Sequence, residues 1–126
     1  RDRVEDAIYA TKAALKEGIV PGGGIALLNA SQSIESESIG EEALLEAIKS
    51  PFEVIMNNAG FETMGCPDTE GVGVNVVTGK EVNMIDSGII DPVLVTKSAL
   101  KNAVSVVMTI VSADCVISNA RADESN

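Results

Sequence analysis

From Asp2 to Glu17 the positions Val4, Ile8, Thr11 and Leu15 recur at three- and four-residue steps with Ala7 and Ala14 beside them, while Asp2, Asp6, Ala13 and Glu17 fall on the opposite side. That period predicts an amphipathic helix with Asp6 on its polar face and Gly18 as its C-terminal stop. After Pro21 and three consecutive glycines, a second helix is expected through Ile25, Ala26, Leu27 and Leu28. It fades into "SQSIESESIG", which reads as a solvated loop. A third helical pattern, "EEALLEAIKS", follows Gly40. Ser50 before Pro51 has the form of an N-cap followed by a proline at the first helical position, so "SPFEVIMNNAG" reads as a further helix ended by Gly60.

The stretch "FETMGCPDTEG" is a loop by composition, whereas "VGVNVVTGKEVNMI" alternates and turns at Thr78 and Gly79, predicting a short hairpin. Asp91 and Pro92 repeat the cap-plus-proline signature and start the longest helix, through about Ser112. Its interior "AVSVVMTIV" is apolar around the whole circumference, so it demands burial on all sides, by another chain segment or another subunit. "CVIS" at 115–118 reads as an edge strand and "NARADESN" as a frayed polar tail. The expected class is mainly α, with one short β-hairpin and a C-terminal edge strand.

Composition narrows the picture. Of 126 residues, 45% are hydrophobic and only 2% aromatic, so the core is built from Ala, Val, Ile and Leu, side chains that suit close helix packing. A formal charge of −10 argues against nucleic acid or an anionic membrane as partner, because both require clustered Lys and Arg. There is no His, and Cys66 and Cys115 are far apart without a CxxC, which removes the usual zinc and Cys–His patterns and fits a reducing compartment, the cytoplasm or an organellar matrix. The chain opens "RDRVEDAIYATK", charged, without Met and without the apolar core of a signal peptide, so its first residue is not expected to start a natural domain. The run Ala103 to Val111 is too short to cross a bilayer.

The glycines in "GIVPGGGIALLNAS" need a reason, since each costs roughly 0.5–1 kcal/mol relative to Ala inside an element. A Walker A loop would need Lys and a hydroxyl residue after them, where Ile25 and Ala26 stand, and GxGxxG does not fit either. Two readings remain: a tight turn with close helix packing, or a ligand approaching bare amides at a helix N-terminus.

"RVEDAIYATKAALKEGIVPGGGIALL" together with "VNMIDSGIIDPVLVTKSALKNAVSVV" resembles the C-terminal part of group I chaperonins, the GroEL-type proteins. The resemblance spans nearly the whole sequence and rests on long ordered strings. It implies that residues 1–17 end the hinge helix of an intermediate domain and that residues 18–126 form the second half of a multihelical equatorial domain that binds ATP and makes ring contacts. The full protein would be an ATP-dependent folding chaperonin: a homo-oligomer of seven-membered rings that works with a small co-chaperonin and encloses non-native proteins.

By the same resemblance, Gly23 lies against base and ribose, with Gly22 and Gly24 serving the turn and a helix contact. Asp91 accepts hydrogen bonds from the ribose hydroxyls, a role open to an acceptor-only carboxylate, beside its bland reading as a helix N-cap. Ile89 is an apolar contact to the base. Asn75 contacts the adenine edge, against the alternative of a turn-forming Asn at the hairpin, and Val76, where the family often has a small residue, contributes its backbone. Asp6 is a solvated carboxylate near Arg3 on residues alone; the match of "VEDA" implies the aspartate that orients the water attacking the γ-phosphate.

The family's phosphate-binding DGTTT motif and the aspartate that holds Mg²⁺ lie in an N-terminal half not represented in this sequence, so the isolated segment is expected to be inactive. The stretch of residues 61–74 also departs from the family, and Cys66 has no counterpart there, while Cys115 is expected to pack in the terminal strand. From a different class, the segment reads alternatively as a non-catalytic ring-contact module.

Overall fold

A computed structural model describes residues 2–61 and 65–113, so the expected strand at 115–118, Cys115 and the polar tail lie outside the described residues. In chain order the elements are α1 (Asp2–Glu17), β1 (Ile19–Pro21), α2 (Ile25–Ser33), α3 (Ile39–Ala47), α4 (Ser50–Asn58), β2 (Val72–Asn75), β3 (Lys80–Asn83), β4 (Ile90–Pro92) and α5 (Val93–Val111). The class is mainly helical with short antiparallel strand pairs, as the periodicity predicts.

Helix α1 ends at Gly18, whose φ of +86° takes the left-handed turn and whose N–H donates to the Ala14 carbonyl at 2.8 Å. Its orientation reverses the amphipathic expectation. The Val4, Ile8 and Leu15 stripe is exposed, Leu15 at 82%, and the buried residue is Ala13, on the side assigned as polar. Small alanines allow α1 to lie close against α5 and β4, and Glu17 on that side pairs with Lys97 at 2.7 Å. Both partners of that pair are partly solvated, so packing of the alanine face holds the contact more than the charges do.

Strands β1 and β4 pair antiparallel with Val20 opposite Asp91, a contact that no alternating pattern announces in three-residue strands ending in proline. Two backbone bonds extend it: Val93 N–H to the Gly18 carbonyl at 3.1 Å and Gly22 N–H to the Ile89 carbonyl at 2.9 Å. This pairing corrects the expectation at Asp91. Pro92, with φ −68° and ψ 130°, is the N-cap of α5, no side chain caps that helix, and Asp91 belongs to β4.

The other helix starts shift slightly. Ser38 caps α3 by accepting from Glu41 N–H, while the Glu41 carboxylate accepts from Glu37 N–H at 2.7 Å, a reciprocal arrangement that begins the helix ahead of the expected Glu41. Helix α4 has Lys49 at its N-cap, and Ser50, expected there, is already helical. The hairpin forms as expected, with β2 and β3 in register Asn75 opposite Lys80.

The core gathers Ile25 and Leu28 of α2, Phe52 and Met56 of α4, Val74 of β2 and Met84 after β3, with Phe61, Val82 and Ile89 packed against it. The apolar run of α5 is open to solvent, with Val106 at 59%, Met108 at 61% and Val111 at 75%, because α1 and β4 meet only part of that helix; the cover its composition demands is not supplied by the described residues. By length and hydropathy the whole of α5 also reaches the requirement for a bilayer span, a test that the core helix of a soluble protein passes as well.

Candidate functional site

The three glycines are demanded by different things. A Cβ on Gly22 would sit 3.1 Å from the Ile89 carbonyl group and the Ile90 nitrogen, and one on Gly24 would sit 2.6 Å from the Phe52 nitrogen. Both obstacles are backbone, which cannot step aside. A Cβ on Gly23 would meet only the Met84 Cε, at 2.8 Å, the tip of a flexible side chain. Gly23 therefore answers to its own φ of +65° and to whatever lies on its open side, not to a rigid neighbour.

On that open side is a cleft of about 840 Å³ between α2, α3, α4 and α5. Gly23 and Asp91 both line it, among apolar side chains such as Leu27, Leu44, Ile55 and Val104. Asp91 is the one charged group among the described lining residues, an exposed carboxylate at an otherwise greasy surface. Thr96 also lines it, with its hydroxyl turned back to donate to the Pro92 carbonyl at 3.4 Å. The cleft can therefore offer an acceptor to a pair of hydroxyls, bare backbone to a ring, and apolar surface beyond.

Ile89 joins this arrangement through the chain. It is half-buried, accepts from Gly22 N–H and donates its own N–H to the Met84 carbonyl at 2.8 Å. Asn75 and Val76 lie at the hairpin turn, outside the cleft lining. The Asn75 Oδ1 accepts from Val77 N–H at 3.0 Å, and its carbonyl accepts from Gly79 N–H at 2.8 Å, so the turn-forming role is in place. Val76 is 43% exposed.

Asp6 is exposed and does not line the cleft. It stands four, seven and eleven residues before Ala10, Ala13 and Glu17, on the stripe of α1 that packs against the body. At 1.5 Å per residue it extends that stripe about 10 Å beyond buried Ala13. The structure thus brings Gly23 and Asp91 together at one cleft, packs Ile89 against the core with a backbone bond to Gly22, and sets Asp6 and the Asn75–Val76 turn apart from them. Met84 went unnoticed at the sequence level, because an apolar residue after a strand signals only core.

A second depression, about 510 Å³, is lined by Glu35, Glu42, Glu46 and Lys49 among others. The neighbouring Glu46 carboxylate raises the pKa of the Lys49 ammonium above the ordinary lysine value, chiefly through their hydrogen bond. Its excess of carboxylates would repel a polyphosphate. Among the described residues no three His, Cys, Asp or Glu side chains are grouped so that they could hold a metal ion.

Residues 1–121 match the TCP-1/cpn60 chaperonin family. A group III chaperonin solved in the open state superposes with a TM-score of 0.73 at 31% sequence identity, over 83% of this chain and 25% of that one. The chain thus corresponds to about a quarter of the chaperonin chain it matches.

Proposed function

That the chain belongs to the TCP-1/cpn60 chaperonin family is the premise from which we propose that it binds the base and ribose of ATP as the C-terminal portion of a ring-forming, protein-folding ATPase. The observation that supports this reading is the shared cleft of Gly23 and Asp91: Gly23 and Gly24 both line it with a lone carboxylate, and of the three glycines Gly23 alone is free of a rigid internal neighbour. A sugar edge fits beside that carboxylate, and a side-chain-free bend lets the ligand approach. Upstream segments of the same subunit cover the remaining apolar cleft and the open face of α5 and supply the phosphate-binding loop, and the strings at both ends of the chain support a group I type with seven-membered rings and a co-chaperonin. Residues 1–17 then close the intermediate domain and residues 18–126 belong to the equatorial one.

In this reading Asp6 orients the attacking water, and its place on α1 makes hydrolysis depend on how that helix swings toward the site. Mg²⁺ supplies charge neutralisation on the phosphates when bound. The described residues do not form a site for it. The exposed apolar face of α5 favours a second reading, a ring-contact module without catalysis.

One titration separates the two. In the full-length subunit, Asp91→Ala should weaken ATP binding about 10- to 100-fold, the worth of hydrogen bonds to a charged acceptor. Unchanged affinity, measured by calorimetry, would leave only the ring-contact reading.

A further inference from the structure

Met84 follows β3 and is 2% exposed, and the space around it is made by two glycines. A Cβ on Gly73 would lie 2.8 Å from its Sδ, and a Cβ on Gly23 would lie 2.8 Å from its Cε. Its main chain is tied as well: its N–H donates to the Gly71 carbonyl at 3.0 Å, and its carbonyl accepts from Ile89 N–H at 2.8 Å. One residue therefore touches the glycine bend, the strand that leads to Asn75, and the segment that runs through Ile89 to Asp91.

We infer that Met84 is a positioning residue for the nucleoside end of the ligand, its thioether setting the height of the Gly23 bend relative to the hairpin and to Ile89. This inference rests on the nucleotide reading above and adds a residue that does not itself touch the ligand. The chemistry of the side chain suits the task. An unbranched thioether reaches from Gly73 to Gly23 through a narrow passage, which a β-branched or shorter side chain cannot do. It also yields under pressure from above, so a sugar or base seated on Gly23 is met by an adaptable floor whose movement is passed to Ile89 and the hairpin.

The test compares ATP with inorganic tripolyphosphate, both with Mg²⁺, on the full-length subunit. Met84→Leu conserves volume and keeps the core filled, but it removes the atom beneath Gly23. Expected is a loss of ATP affinity of about tenfold with tripolyphosphate affinity unchanged. Met84→Ala should lose more of the first and again none of the second; where Met84→Ala fails to fold, Met84→Leu decides. ATP affinity equal to the parent's in Met84→Leu, or a parallel loss of both ligands, would overturn the positioning role. A parent subunit that binds no ATP would instead overturn the nucleotide reading beneath it, and the inference with it.

Discussion

Asp6→Ala in the full-length subunit is expected to lower ATP turnover by about 10²- to 10⁴-fold while leaving ATP affinity within about twofold of the parent. The separation of the two effects follows from where the residue sits. Asp6 is exposed on α1 and does not line the cleft that holds Gly23 and Asp91, so its removal takes nothing from the binding surface. It lies nevertheless on the Ala10, Ala13 and Glu17 stripe that faces the body, so the swing of α1 proposed above would carry its carboxylate inward along with that stripe. A carboxylate that arrives only on closure acts on the transition state and not on the ground state, which places its effect in turnover. Steady-state phosphate release checks the first quantity and calorimetry the second. Parent-like turnover would remove Asp6 from the chemistry.

Gly24→Ala and Gly23→Ala should diverge sharply although they are neighbours that both have positive φ. At Gly24 the new Cβ would press on the Phe52 nitrogen and Cα at 2.6 and 2.8 Å, and φ is +79°. Backbone overlap and left-handed strain together should cost about 2–5 kcal/mol, enough to unfold a marginally stable domain. At Gly23 the only neighbour is the Met84 Cε, which can turn aside, so about 1–2 kcal/mol of conformational strain remains. The denaturation midpoint of the equatorial region reads the difference. Equal midpoints would show that the contact with α4 does not hold the second helix in place.

How much of this was legible in the sequence varies by element. Helices whose ends carry Gly18, Gly60 or Pro51 were predicted to within a few residues, since these residues act through their own backbone and need no partner. The hairpin followed from alternation around Thr78 and Gly79. Strands β1 and β4 were not readable, because three residues ending in proline show no period and are defined only by each other. For the same reason the sequence pattern points to Asp91 as a cap: Pro92 suits both a first helical turn and an extended residue, and the pairing with Val20 selects the second.

The packed face of α1 was inverted for a different cause. Period shows where apolar residues gather, but close approach of two helices and a strand favours alanine over larger side chains, and Val4, Ile8 and Leu15 are left outside. At the site, the residue pattern alone does not separate Gly23 from its neighbours; the resemblance singles it out, and the rigid obstacles at Gly22 and Gly24 give those two a packing reason. Val76 and Asn75 stand at a turn whose hydrogen bonds are satisfied locally, and the expectation that they contact the base comes from the resemblance alone.

The most direct measurement is a structure of the full-length subunit with a non-hydrolysable ATP analogue. Expected are ribose hydroxyls within hydrogen-bonding distance of the Asp91 carboxylate, the sugar and base against Gly23, and the ring over Ile89. Nucleotide bound elsewhere, with Asp91 and Gly23 covered by protein, would contradict the nucleotide reading.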